Sequence, residues 1–203
     1  DYTKAIGGKA AIDGITSWSQ VMEASIQGQT VVQTMYKEGG NKSSTQTQMM
    51  GMTVGDQRYN NGQVLMMQQG KKMATDDEMV ARMKKQAVLF ATVALIDKVD
   101  MISISGTETI NGKKAIILDL KTESGEGEAQ MYFDQESKLL VRRVKKEGST
   151  TSIVDYSDYR EVNGVMIPYE MTVTGAMPFT LKFATKEKEL NADIDQSLFE
   201  IEE

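Results

Sequence analysis

Residues 18–38 read WSQVMEASIQGQTVVQTMYKE, and the alternation in this stretch decides the fold class. Every second residue of 18–26 lies on one strand face, which collects Trp18, Gln20, Met22, Ala24 and Ile26 and is typical of a β-strand with one buried face. Gly28-Gln29 predicts a tight turn, and the β-branched and aromatic residues of 29–38 predict a second strand. Gly39-Gly40-Asn41 predicts another turn, so the stretch predicts an antiparallel hairpin that continues into a further strand.

The same period continues through most of the chain. Further strands are predicted near 43–50, 54–59 and 63–68, and a second series runs over 102–183 with turn residues about every ten positions. We count about eleven or twelve strands, without an internal repeat or a linker, and expect one domain over residues 1–203. Hairpins with one apolar face each predict a strongly curved antiparallel sheet, which has to close or wrap around something to cover its inner face.

One helix interrupts the strands. Thr75-Asp76-Asp77-Glu78 matches a capping box, and apolar residues then recur at helical spacing, which predicts a helix over 76–97. Its second half, AVLFATVALI at 87–96, is apolar nearly all round. A helix of that kind needs cover on every side, so we expect it to plug the concave side of the sheet. A shorter helix is predicted at 2–12, weakened by Gly7-Gly8.

Five of the fifteen methionines lie in QMMGMTVGDQRYNNGQVLMM, residues 48–67. Methionine is flexible and polarizable, so the stretch suits either an irregular core or a lining for ligands of variable shape. The pattern leaves both readings open. We expect five side chains to approach one apolar space inside the curved sheet: Met22, Met50, Met66, Phe90 and Leu95. A register shift of one residue would replace Met50 and Met66 by Met49 and Met67.

The residue types that the chain lacks limit its chemistry. It has no His and no Cys, which excludes Ser-His-Asp catalysis, thiolate nucleophiles, disulfides and the usual zinc sites. We therefore expect no enzyme, no catalytic residue, no metal and no cofactor. A net charge of −6 with scattered basic residues argues against nucleic-acid binding. Glu126 and Glu128 would share one strand face, but their GEGE hairpin is interpreted as a solvated tip rather than a cation site.

A set of short motifs occurs in order along the chain. They read YTKAIGG at 2–8, NGKKA at 111–115, YFD at 132–134, LLV at 139–141, YSDYREVNGVMIPY at 156–169 and NADIDQSLF at 191–199. In this order and spacing the chain resembles bacterial outer-membrane lipoprotein-sorting proteins of the LolA/LolB-like superfamily, especially their divergent Bacteroidetes-type relatives. The resemblance covers nearly the whole chain.

The resemblance implies an unclosed antiparallel barrel, in the periplasm, with helices that plug its mouth. It also implies a carrier or receptor whose apolar cavity holds the acyl chains of lipids or lipoproteins. The alternative is a non-catalytic module of the same fold that contacts or senses an envelope protein. Asn61-Gly62-Gln63-Val64 departs from the family's pattern, and the carriers' functional arginine has no matching position, so no residue role is carried over. We expect a monomer, either soluble or anchored to the outer membrane through a segment upstream of residue 1.

Overall fold

A computed structural model describes residues 1–121 and 128–201 of the chain, so the GEGE hairpin lies outside the described residues except for the main chain of Glu128. The helices are α1 Tyr2–Ala5, α2 Lys9–Asp13, α3 Asp77–Ala87 and α4 Ala91–Ile96, and 3₁₀ turns lie at Val99–Met101 and Gln196–Phe199. The strands are β1 Ser17–Ile26, β2 Gln29–Glu38, β3 Lys42–Met49, β4 Met52–Asn60, β5 Gln63–Gln68, β6 Lys71–Lys72, β7 Ile102–Ile110, β8 Lys113–Leu120, β9 Glu128–Asp134, β10 Leu140–Glu147, β11 Thr150–Val162, β12 Val165–Thr174 and β13 Leu181–Leu190. No helix in these ranges combines the length and the apolar character needed to cross a membrane.

Within the described residues, thirteen strands form one antiparallel sheet that does not close on itself. The strand order is β6-β5-β4-β3-β2-β1-β13-β12-β11-β10-β9-β8-β7, so each strand follows its sequence neighbour except where β1 meets β13. The predicted mainly β class and single unclosed sheet are confirmed. The strand count exceeds the predicted one because β6 consists of two residues only.

Turn chemistry fixes the register of the hairpins. Several turns have positive φ at both central residues, as two-residue hairpin loops that match the strand twist require. Three of them are Asn-Gly pairs, which favour turns of this kind: Asn61-Gly62, Asn111-Gly112 and Asn163-Gly164. The turn between β1 and β2 is Gln27-Gly28, one residue earlier than predicted, with φ of 51° and 82°. This shift places Trp18 opposite Lys37.

The predicted long helix is two helices. The chain leaves helical geometry after Ala87, where Val88 has φ −58° and ψ 129°, and becomes helical again at Ala91. The start also differs from the prediction, because Asp76 rather than Thr75 is the N-cap: its carboxylate accepts a hydrogen bond of 2.8 Å from the Met79 amide. An ionised acceptor at this position bonds the first-turn amides and favours the helix dipole.

The contacts group the chain into two compact units. Unit 1 comprises residues 1–11 and 92–183, and unit 2 comprises residues 12–91 and 184–203. The single domain predicted over 1–203 stays a prediction.

In unit 2, α3 packs on one face of β3–β5, which we call the α3 face. Its Met83 and Ala87 form a buried cluster with Tyr59, and Val64 packs against the cluster. The opposite face is covered by the C-terminal segment, where Ala192, Ile194 and Phe199 form a second cluster. The main chain of that segment is held by β4: Arg58 donates to the carbonyl of Glu200 at 3.0 Å, and Asn60 to that of Phe199 at 3.2 Å.

In unit 1, Tyr2 of α1 and Ile96 of α4 pack on one face of the strands, which we call the α4 face. The buried side chains of this face are Met131, Phe133 and Leu140, and the Tyr2 and Phe133 rings meet edge to face with centroids 5.2 Å apart. Gly7 fixes α1 against the β11–β12 turn. Its φ is 121°, and a Cβ there would overlap the carbonyl oxygen of Gly164. The Ile6 carbonyl accepts from the Met166 amide nearby, at 3.0 Å.

Candidate ligand-binding faces

The register of β1–β5 arranges the α3 face in rows of cross-strand neighbours. The first row is Trp18, Lys37, Ser43, Tyr59 and Val64; the second is Gln20, Met35, Thr45, Gln57 and Met66; the third is Met22, Gln33, Thr47, Gly55 and Gln68. Helix α3 packs over Tyr59 and Val64 in the first row. The other two rows interleave methionines with amides and hydroxyls, so this face is less apolar than the sequence predicted.

The predicted methionines fall at different places relative to the α3 face. Met22 and Met66 lie on it, in the third and second rows; Met22 is 3% exposed and Met66 is half-buried. Met50 does not lie on it. It occupies the β3–β4 turn with φ 52° and is 70% exposed, so the prediction that Met50 lines an interior space is wrong. Because the turn takes up Met50 and Gly51, Met49 is the residue that faces inward, opposite Val31.

The two predicted helical positions, Phe90 and Leu95, are both half-buried. Phe90 lies in the break between α3 and α4 and belongs to unit 2, whereas Leu95 lies in α4 and belongs to unit 1. The structure therefore places Met22, Met66 and Phe90 in one unit, with the two methionines on one face. Contact of these side chains with a ligand stays a prediction.

A polar cluster on the α3 face was not predicted. Lys37 of β2 and Lys188 of β13 both approach the Trp18 ring, with their Nζ atoms 4.9 Å and 3.2 Å from its centroid. Burial, with a smaller contribution from the charge of Lys37, lowers the pKa of Lys188 to about 6. Burial lowers the pKa of Lys37 to about 8. At pH 7 Lys37 is therefore mostly charged, while Lys188 is mostly neutral and presents an amine to the indole.

This cluster completes the hydrogen bonds of the helix break. Lys37 Nζ donates to the Val88 carbonyl at 3.1 Å, and Trp18 Nε1 donates to the Leu89 carbonyl at 3.2 Å. The last carbonyls of a helix have no partner within it, and a cation there also favours the helix dipole. Two side chains of the sheet thus donate hydrogen bonds to the carbonyls that the interrupted helix leaves without a donor. The sequence could have indicated the Lys37–Trp18 contact, because a turn at Gln27-Gly28 sets the register that places the two residues opposite each other. No local pattern could have indicated Lys188, because it is 170 residues from Trp18 in the sequence.

The α4 face of unit 1 is more continuously apolar. Its central row is Ile104, Leu118, Met131, Arg143, Val154 and Val173. Met131 is 0% exposed and Ile104 is 75% exposed, and the other four are half-buried. Residues on either side extend the apolar surface: Leu120, Ile116, Phe133 and Tyr156. An apolar strip therefore crosses β7 to β12, interrupted by one guanidinium.

Three tyrosines of unit 1 hold their protons firmly. Burial, and to a smaller extent the neighbouring Tyr156, raises the pKa of Tyr2 to about 12. Burial also raises the pKa of Tyr156 and of Tyr159, and the Tyr159 hydroxyl donates to the Leu140 carbonyl at 2.7 Å. At neutral pH these phenols are therefore hydrogen-bond donors rather than bases.

No arrangement for metal binding is visible in residues 1–121 and 128–201, where no three acidic side chains converge. A polar depression lies between the β7–β8 and β9–β10 turns, lined by Lys113 and Asp134 among others. The Asp134 carboxylate already accepts from the Ser137 amide at 2.7 Å and its hydroxyl at 2.8 Å, and these bonds lower its pKa. We interpret this depression as a rigid turn.

Comparison with known proteins identifies the fold. No protein-family model matches the sequence, and the curated proteins gave no match. Among solved structures, a DUF1329 family protein from Desulfovibrio piger is similar, with 13% identity, a TM-score of 0.62 and coverage of 93% of this chain and 91% of that chain. A putative outer membrane lipoprotein-sorting protein domain from Vibrio parahaemolyticus has 10% identity and a TM-score of 0.61, with 92% and 90% covered.

A LolA superfamily protein from Nitrosomonas europaea matches equally well, with 10% identity, a TM-score of 0.61 and coverage of 92% and 90%. At these identities the likeness concerns the fold. The chain has a LolA-like fold, which confirms the resemblance at that level. The Bacteroidetes-type relationship stays a prediction.

Proposed function

We propose that this protein binds the acyl chains of a lipid or lipoprotein and acts as a carrier or receptor in the bacterial envelope. The observation that carries the proposal is the apolar strip on the α4 face, where Leu118, Val154 and Val173 are half-buried and Ile104 is exposed. Apolar surface that the protein's own helices leave partly uncovered is suited to an apolar ligand. The similarity in fold to a lipoprotein-sorting domain supports the same reading.

The energetics are adequate for such a ligand. Burial of each CH₂ contributes about 0.8 kcal/mol, so a long acyl chain contributes on the order of 10 kcal/mol before the cost of ordering it. The α3 face offers a second apolar surface at Met22 and Met66, with Phe90 in the same unit and Leu95 on α4, and we propose these four as further ligand contacts. Binding of this kind needs no catalytic residue, and we expect no turnover of ester or peptide substrates above background.

A matched pair of substitutions on β12 tests the proposal. Val173→Trp places a bulky ring in the apolar strip, while Thr172→Trp places it next door on the opposite face; both positions are half-buried. We expect Val173→Trp to abolish binding of a fluorescent fatty acid and Thr172→Trp to leave it unchanged, with similar melting temperatures. Absence of binding by the wild type, or equal binding by both variants, contradicts the proposal for this face.

A second candidate is a module that contacts an envelope protein, and the β3–β4 turn favours it. Met50 and Met52 are 70% and 65% exposed at one hairpin tip, a position where methionine suits a protein partner. A photo-crosslinking residue at Met50 gives one discrete protein adduct in envelope fractions if this reading is right. The same crosslinking residue at exposed Gln63, beside the β4–β5 turn at the opposite end of β4, serves as the control.

A further inference from the structure

Two adjacent arginines of β10 have opposite surroundings. Arg142 forms a two-pronged ion pair with Asp155, with Nε and a terminal nitrogen 2.6 Å and 3.0 Å from the carboxylate oxygens. Arg143 points to the other side of the sheet, onto the α4 face. In the part of the chain that the structure describes, no carboxylate pairs with Arg143 and none of its nitrogens donates a hydrogen bond to another residue.

The neighbours of Arg143 are apolar or aromatic. Its cross-strand partners are Met131 and Val154. Tyr156 follows on the same face of β11, where burial raises its pKa and the charge of Arg143 offsets part of that rise. Lys145, the next inward position of β10, is exposed and adds a second positive charge. The near environment of the Arg143 guanidinium thus contains a phenol and an apolar strip, with the charge of Lys145 at the next inward position.

A half-buried guanidinium without a counterion loses hydration and gains no ion pair in return. Its five donors keep a fixed fork geometry that fits a carboxylate or phosphate oxygen pair, and such charge-assisted bonds are about twice as strong as neutral ones. The Arg142–Asp155 pair has this geometry on the opposite face, whereas the Arg143 donors have no such acceptor in the described part of the chain.

We propose that Arg143 binds the anionic group, a carboxylate or a phosphate, of a ligand whose acyl chain lies along the α4 face, an inference that rests on the proposed function. The chain would cover an accessible part of the strip, either from Leu118 toward Ile104 or from Val154 toward Val173. The Tyr156 hydroxyl, which stays protonated, is a second donor near the same anion.

The test compares decanoate and decyl phosphate with uncharged decanol, and uses acetate and inorganic phosphate as anions without a chain. Three variants are measured with the wild type: Arg143→Met removes the charge at similar length, Arg143→Lys keeps the charge without the fork, and Arg142→Met is the matched control on the other face. Displacement of a bound fluorescent decanol derivative reports each affinity, and thermal unfolding checks that each variant folds.

We expect the wild type to bind decanoate or decyl phosphate about tenfold or more tightly than decanol, and acetate and phosphate hardly at all. Arg143→Met should remove this preference and keep decanol binding. Arg143→Lys should retain part of the preference, and Arg142→Met all of it.

Equal wild-type affinity for charged and uncharged chains, or a preference that survives in Arg143→Met, overturns the role of Arg143 and leaves the proposed function intact. Failure of decanol and both charged chains to bind overturns both. Binding of acetate or phosphate as tight as that of the chain-bearing anions shows a free-anion site and likewise overturns the proposal.

Discussion

The α4 face of unit 1 and the α3 face of unit 2 use their cationic side chains differently. On the α3 face, Lys37 bonds the Val88 carbonyl and lies with Lys188 against Trp18, so these amines have structural partners. On the α4 face, Arg143 lies in an apolar row without such a partner among residues 1–121 and 128–201. The α3 face also mixes its methionines with Gln and Thr, whereas the central row of the α4 face contains no uncharged polar side chain.

The difference teaches that a cation on a covered sheet face can have either of two roles, one in the stability of the fold and one in ligand binding. A cation that completes main-chain hydrogen bonds belongs to the fold, and its removal should be measured as a change in stability. A cation without a partner costs stability, so its removal should not lower the unfolding free energy and should instead weaken the binding of an anionic ligand. Stability measurements therefore separate the two faces before any ligand is known.

The largest effect on stability is expected at Gly7, where α1 packs against the β11–β12 turn of unit 1. Gly7→Ala places a Cβ against the Gly164 carbonyl at a φ that non-glycine residues avoid, and we expect a loss of about 4 kcal/mol of unfolding free energy. Gly8→Ala is the control, because Gly8 also has positive φ but nothing lies within 4 Å of its added Cβ. Denaturant unfolding measures both, and equal losses would show that the close approach has no special cost.

Methionines of the two faces should differ in what they contribute. Met131→Ala removes a side chain that is 0% exposed and should cost about 3 kcal/mol through the cavity it leaves. Met66→Ala on the α3 face removes a half-buried one and should cost about 1 kcal/mol. Unfolding free energies check this order. A Met66 cost equal to that of Met131 would mean that the second row of the α3 face is closed core.

The third comparison uses pH. Unfolded Lys188 has a pKa near 10.5 and folded Lys188 one of about 6, so between these values the unfolded chain holds a proton that the folded chain lacks. Stability should therefore rise with pH across this window. Lys188→Met should make the rise shallower, while the lowered pKa of Lys37 still contributes to it above about pH 8. We expect the variant to be about 2 kcal/mol more stable at pH 7. Unfolding at several pH values measures both slopes, and parallel curves would contradict the lowered pKa.

The smallest effect concerns the helix break. Lys37→Met removes the donor to the Val88 carbonyl and should cost about 1 kcal/mol. Lys84→Met, at an exposed position in the last turn of α3, should change stability by less than about 0.5 kcal/mol. Faster hydrogen exchange at the end of α3 in the Lys37 variant alone would locate the effect. Equal exchange in both variants would mean that the break needs no cation.

The sequence predicted the strands well because a two-residue period is a local signal. It located hairpins best where Asn-Gly marked the turn, and it misplaced the turns at Gln27-Gly28 and Met50-Gly51, whose first residues carry no such mark. The second error moved Met50 from the inner face to solvent. The break at Val88 was missed for another reason. AVLFATVALI is a good local helix pattern, and the donors to its Val88 and Leu89 carbonyls come from Lys37 and Trp18, some fifty and seventy residues earlier.

The meeting of β1 with β13 has a consequence for how the protein is made. The Asn191 amide donates to the Ser17 carbonyl at 2.8 Å, and Lys186 pairs with Glu23 at 3.3 Å, so the first strand finds this neighbour near the end of the chain. Every other pair in the described sheet joins two strands that follow one another in sequence. These pairs can form as the ribosome extends the chain. Until residues 184–191 emerge, β1 has an open edge that invites pairing with other nascent chains. Premature termination before β13 should therefore yield an aggregating product rather than a smaller folded one.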